Sequence, residues 1–317
     1  MVLAYVFTIL KNTIYGTTNF FTKGLNSNDI DAIHILALRF LLSFVILYLL
    51  KITKIVKIDI GVKDVFKNTE RHKFIKPLFL AALFSPVIEM FFETTGFTKT
   101  SAVTAGVILS LSPIVACICE SLILKENATT AQKVFLALGI IGVIYIAINT
   151  DTSSGNDTLF GIICLVLAVI AGPSYLVFSR KCAGKFKPLE VSYFACVLGA
   201  VVFNAISVVK HLVQGNIINY FDPYFNPDNI IGFITLSIVS TIFCTLMNNF
   251  AMTRLQASTV SAFGGVSTIV TILIGVVFLK ENLYYFHYIG FALIFVRIIG
   301  VSWIAIKKDK QRKLGML

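Results

Sequence analysis

TKTSAVTAGVILSLSPIVACICESLILKEN, residues 98–127, and TRLQASTVSAFGGVSTIVTILIGVVFLKEN, residues 253–282, align without a gap at an offset of 155. They share 10 identities in 30 positions, among them Ala102 with Ala257, Ser112 with Ser267, and the closing LKEN. The pieces that follow, 130–149 and 285–306, correspond as well. An internal repeat sets the architecture before any single residue is read. The chain therefore divides into two halves, 1–150 and 151–317.

Each half is built from apolar runs. Hydrophobic residues make up 57% of the chain and charged ones only 14%, well below the roughly 25% of a soluble domain. Runs of about 20 apolar residues are long enough to cross a bilayer. Ten are present, at 2–22, 31–50, 77–97, 101–123, 130–149, 158–179, 189–212, 230–252, 258–279 and 285–306. The expected fold is an all-α integral membrane protein of ten transmembrane helices, with the lipid bilayer as its first partner. The N-terminus begins directly in an apolar run without a cleavage pattern and reads as a retained first helix.

The distribution of Lys and Arg orients the spans. With the N-terminus in the cytoplasm, segments 51–76, 124–133, 180–187, 253–257 and 307–317 lie inside and carry 20 of the 27 basic residues. The other side holds only Lys23, Lys99 and Lys280. Both termini are thus expected in the cytoplasm, across a plasma membrane. The net charge of +11 follows from these basic loops, so nucleic acid is not an expected partner.

Five spans per half is an odd number. LKEN at 124–127 then falls on the cytoplasmic side and LKEN at 279–282 on the opposite one. The halves are expected to be inverted, related by a pseudo-two-fold axis in the membrane plane. This construction supports alternating access, with a substrate site near the midplane between the halves.

Several local patterns sit on this frame: Gly16, Asn19 and Lys23 in the first span, Arg39-Phe40 in the second, TKTSA at 98–102, SLSP at 110–113, Arg180 closing the sixth span, and Glu126 and Glu281 ending the fourth and ninth. Together they resemble the EamA type of the drug/metabolite transporter superfamily, over nearly the whole chain. Thr268 stands where that family usually has a proline, and Arg297 where it usually has a small residue. The resemblance implies transport, often export, of small metabolites such as amino acids, or of drugs.

Ionisable groups inside a membrane are costly and point to function. Lys11, Arg39, Glu89 and Arg297 fall near the middle of their spans, and Glu93 lies one helical turn from Glu89 on the same face. Glu89 or Glu93 suits a cationic group or a coupling proton. Arg297 or Arg39 suits a carboxylate. Internal ion pairs that lock helices together are the competing account, favoured for Arg39. Snorkelling or helix pairing is favoured for Lys11. Tyr15, Asn19, Ser110, Ser112, Tyr175, Asn248, Asn249 and Ser267 are uncharged candidates. Adding the offset of 155 to Glu93 gives Asn248. Both are expected to line one central cavity, with Tyr15, Ser110, Tyr175 and Ser267 nearby. Pro86 is expected to kink the third span. Pro113 and the Gly172-Pro173 pair are possible hinges.

No GxSxG, HExxH or Walker A motif is present, so no enzyme is expected. No metal, cofactor or disulfide is expected either: the six cysteines form no CxxC pair and the four histidines are scattered. The leading expectation is a secondary active or facilitative transporter of a small polar metabolite, with protons as a possible coupling ion. The alternatives are an importer of a cationic amine such as a choline-like compound, or a non-transporting membrane protein that binds a partner or acts on lipid.

Overall fold

A computed structural model describes residues 2–54, 73–119, 158–255 and 257–280, with isolated residues between 122 and 145 and between 285 and 304. Every regular element among them is helical. Those that matter for the site are α1 (Val2–Gly16), α2 (Thr18–Ser27), α3 (Ala32–Ile52), α4 (Ile75–Ala82), α5 (Glu89–Phe97), α6 (Ala102–Leu109), α7 (Ser112–Cys119), α8 (Leu159–Cys182), α9 (Pro188–Val213), α10 (Asp222–Phe225), α11 (Pro227–Ile234), α12 (Cys244–Met252), α13 (Ala257–Ala262) and α14 (Gly265–Val277).

Six helices among the described residues are long and apolar enough to cross a membrane: Ala32–Ile52, Ile75–Phe97, Leu159–Cys182, Pro188–Val213, Pro227–Met252 and Thr259–Val277. The first of the ten expected spans is split at Thr17 into α1 and α2 and runs on to Ser27. The fourth is split after Leu109 into α6 and α7. The fifth and tenth, with most of the basic loops and Arg297, lie largely outside the described residues.

Side chains at the starts of the helices fix where they begin. Asp31, Ser101 and Thr158 each accept a hydrogen bond from the backbone N–H three residues on, at 2.8, 3.0 and 3.1 Å. Each satisfies one of the donors that a helix start leaves open.

Polar groups go inward and apolar ones outward, as a lipid solvent requires. Thr8, Asn12, Asn19, Arg39, Glu93 and Asn248 are buried, while Leu49, Val201, Val209 and Leu212 are exposed. The buried apolar residues form several small clusters between helices. One joins Ala4 of α1 to Val177, Met252 and Val260 near one end of the bundle. Another joins Leu25 of α2 to Leu38, Tyr220 and Phe233 near the other. Further apolar clusters, around Phe40 and around Leu165, accompany buried polar side chains such as Asn12, Glu93 and Asn248.

The third and eighth spans both change pitch in mid-course. Leu83–Ile88 and Thr235–Phe243 are π-helical. The offset of 155 places 83–88 onto 238–243, inside the second segment. In the third span Pro86 supplies no N–H, and Ser85 leaves the helical region at φ −142°, ψ 120°. In the eighth span Thr241 donates its hydroxyl to Leu236 O at 2.8 Å, five residues back. Ser43 of α3 donates to Ser237 O at 2.9 Å. Wide turns of this kind expose backbone carbonyls and often mark functional places. The kink expected at Pro86 is present, with the backbone break at Ser85, and a wide turn lies at the corresponding place in the other half.

Candidate functional site

A cavity of about 130 Å³ lies between the two halves. Its polar lining comes from Lys11, Asn12 and Tyr15 on α1, Glu89 and Glu93 on α5, and Ser112 on α7. The second half contributes Tyr175 on α8, Asn248 on α12, Ser261 on α13 and Ser267 on α14. Both π-helical segments reach it, through Ser85 and Pro86 and through Ser240 and Thr241. An apolar cavity of about 150 Å³ holds a benzene ring, so this space suits a solute of about that size.

Glu93 is 4% exposed, and its Oε2 accepts a hydrogen bond from the Tyr15 hydroxyl at 2.6 Å. Glu89 sits one turn away. Gly172 of α8 makes room for it, since a Cβ there would collide with the Glu89 carboxylate. Across the cavity Lys11 Nζ donates to Asn248 Oδ1 at 3.5 Å, linking α1 to α12. An ammonium carries three donors, so Lys11 has capacity beyond this one bond. The cavity thus presents a cationic point and two carboxyl groups in one small space.

Asn248 and its neighbour Asn249 do different work. Asn249 Oδ1 accepts from the Tyr175 hydroxyl at 2.7 Å and from Ser179 at 2.8 Å, and its Nδ2 donates to Ser192 at 2.9 Å. That network ties α8, α9 and α12 together within the second half. Asn248 stays beside Tyr175 as well and reaches across to Lys11 of the first half.

Of the residues singled out in the sequence, Glu93, Asn248, Glu89, Tyr15, Tyr175 and Ser267 line this cavity. Ser110 does not. Its hydroxyl donates to Val107 O at 2.6 Å within its own helix, and Ser112, two residues on, takes the wall position. Asn19 is buried in α2, away from the cavity lining. Arg297 lies outside the described residues. Arg39 is buried, and among the described residues its hydrogen bonds go to hydroxyls rather than a carboxylate: Nε donates to Thr241 at 2.6 Å and Nη2 to Ser240 at 3.0 Å. It braces the second π-helical segment. Lys11, for which helix pairing is one of the two favoured readings, links the first span to the eighth through Asn248 and also lines the cavity. Cys119, Cys164, Cys182, Cys196 and Cys244 are all unbridged. No cluster of three or more metal-ligating side chains occurs among the described residues.

A helical bundle with an apolar exterior and a small interior cavity lined by ionisable side chains is the fold of a multi-pass membrane protein. A family model described as the EamA-like transporter family matches residues 2–148 and 159–303. The chain belongs to this family: it is a multi-pass membrane transporter made of two EamA domains, not an enzyme. It is similar to the uncharacterized transporter YcxC of Bacillus subtilis, 31% identical over 97% of this chain and 95% of that one. An uncharacterized transporter of Archaeoglobus fulgidus is 25% identical over 67% of this chain and 71% of its own. A solved crystal structure superposes on 96% of this chain with a TM-score of 0.65 at 14% identity, covering 98% of its own chain. That likeness concerns the fold alone.

Proposed function

We propose that this transporter moves a small zwitterionic metabolite, an amino acid or a compound like it, across the plasma membrane by alternating access. One observation carries the reading: Lys11, Glu89 and Glu93 line a single cavity of about 130 Å³. An α-carboxylate is attracted to Lys11 and an α-ammonium to the glutamates, and a solute with both groups satisfies both walls. Lys11 and the glutamates already offset one another in this cavity, and a zwitterion, unlike a singly charged solute, enters without changing the net buried charge, which is expensive to alter in a membrane. Secondary active or facilitative movement fits a chain without a nucleotide-binding motif.

The inverted relation of the halves and cytoplasmic termini, argued from the basic loops, complete the picture. Two half-chains that rock about a site between them expose it first to one side and then to the other. Export is the direction that the family resemblance supports. Protons are the proposed coupling ion, taken up at Glu93 or Glu89.

The test is counterflow with purified protein in proteoliposomes. Vesicles preloaded with an unlabelled amino acid are expected to accumulate the labelled form. The decarboxylated amine and the deaminated acid should compete at least tenfold less well. An amine that competes better than the zwitterion would replace this reading with the cationic-amine one. Absence of counterflow across a full set of amino acids would end it.

A further inference from the structure

The first span carries a polar stripe that continues beyond the cavity. Thr8, Asn12, Tyr15, Asn19, Thr22 and Asn26 follow one another at alternating steps of four and three, which keeps them on one side of a helix. Thr17, between α1 and α2, retains helical dihedrals of φ −83° and ψ −13°, so the stripe runs through. Thr8, Asn12, Asn19 and Thr22 are each 2% exposed or less.

Most of these side chains have partners. Thr8 Oγ1 donates to Ala4 O at 2.7 Å and Asn12 Nδ2 to Thr8 O at 2.8 Å. Tyr15 serves Glu93. At the far end Asn26, partly exposed, donates to Ile30 O at 3.1 Å. Asn19 and Thr22 differ. Both polar atoms of the Asn19 amide and the Thr22 hydroxyl find no partner among the described residues. The hydroxyl of Ser237 is in the same position, on the π-helical segment that packs against α2. Leaving such groups dry is costly, and polar pockets of this kind hold ordered water. The α2 helix also packs against α5, which carries Glu93.

We propose that Asn19 and Thr22 hold buried water that forms the proton route between Glu93 and the aqueous phase at the Asn26 end of the first span. A proton arriving there passes along the water and adds to the Glu93 carboxylate, and the same bond breaks when the proton leaves toward the opposite side. The titratable and charged groups around Glu93 are Glu89 on its own helix, Tyr15 and Lys11 on α1, Arg39 on α3, Tyr175 on α8, Cys196 on α9 and Cys244 on α12, with Lys23 on the adjoining α2. None of these lies on the stripe between Tyr15 and Asn26, so the route is through neutral amide and hydroxyl groups. The inference rests on the transport reading above.

The test uses full-length protein in proteoliposomes of uniform orientation, with the interior held alkaline. Dicyclohexylcarbodiimide, which reaches protonated carboxyls through lipid, labels Glu93, and peptide mass spectrometry separates that adduct from one on Glu89. Acidifying the solution on the Asn26 side should raise Glu93 labelling several-fold in the wild type. The near-isosteric double variant N19L/T22V should lose most of that rise. N19S/T22S, which keeps polar groups and room for water, should retain it. If N19L/T22V does not assemble, T22V alone reads the same way with a partial loss. A rise unchanged in the apolar variants, or absent from the wild type, would overturn the route. Counterflow of a labelled amino acid is scored separately in the same vesicles. Labelling that fails while counterflow persists removes the water route and leaves the transport reading standing, and the opposite pattern does the reverse.

Discussion

The Tyr15 hydroxyl donates to Glu93 Oε2 at 2.6 Å, a bond that joins the first span to the third at the wall of the cavity. A hydrogen bond to a carboxylate contributes about 1.5–3 kcal/mol. Tyr15→Phe removes the donor and keeps the ring. The substrate's apparent affinity in counterflow is expected to change by about tenfold or more, with the protein still eluting as a single folded species. Wild-type affinity in this variant would mean that the bond only packs helices.

Lys11 is expected to set the preference for a carboxylate. Lys11→Met keeps the length of the side chain and removes its charge. Competition by the intact amino acid should weaken by about tenfold or more, about 1.4 kcal/mol. Competition by the matching decarboxylated amine should be unchanged or improved. Parallel losses for both compounds would show that Lys11 supports the fold rather than the solute.

Three glycines separate structural from functional crowding. At Gly16 a Cβ would lie 2.6 Å from Val270 Cβ and 2.8 Å from the backbone oxygen of Ser267. A backbone atom cannot yield, so Gly16→Ala should lower thermal stability in detergent by about 1–3 kcal/mol. At Gly172 the obstacle is the movable end of Glu89. Gly172→Ala should therefore leave the melting temperature near wild type while weakening counterflow by displacing that carboxylate. Gly24 meets nothing within 4 Å, and Gly24→Ala should stabilise by about 0.5–1 kcal/mol.

Much of this could be read from the sequence, and the exceptions have physical causes. The LKEN repeat gave the register that relates Glu93 to Asn248, and both line the cavity. The wide turns at Leu83–Ile88 and Thr235–Phe243 were not legible, apart from a kink at Pro86, because a change of pitch leaves an apolar run apolar. Ser110 and Ser112 are two residues apart and so point to different sides of a helix. Only the packed rotation shows that Ser112 faces the cavity. A lysine flanked by apolar residues, such as Lys11, reads as either snorkelling or helix pairing, and only the packed structure shows Asn248 as its partner. The heptad-like spacing of Thr8 to Asn26 was present in the sequence, but lipid-facing and buried stripes have the same period.

Asp31 gives a test of the surface electrostatics. It caps α3 by accepting from the His34 amide at 2.8 Å and pairs with Lys210 of α9. Burial pushes its carboxyl up, but Lys210 and the His34 amide outweigh this and hold it below the ordinary 3.8. A depressed carboxyl stabilises the fold above its unfolded pKa, and that contribution is lost as pH falls through the folded value. Asn also caps helices well, so Asp31→Asn removes the charge and keeps the cap. Thermal stability of the wild type should fall more steeply than that of the variant below about pH 4. The pair is partly exposed, so high salt should shrink the difference. Identical pH profiles would show that Asp31 acts as a cap alone.

The central claim is that one cavity between the halves opens to each side in turn. Ser112 lines it on α7, and Ser112→Cys in a cysteine-free background places a small reporter there. The measurement is modification of that thiol by a membrane-impermeant methanethiosulfonate, added to either face of oriented proteoliposomes. The account predicts labelling from both faces, slowed several-fold from each by an amino acid that supports counterflow. Labelling confined to one face under every condition, or labelling that the transported solute never slows, would contradict it.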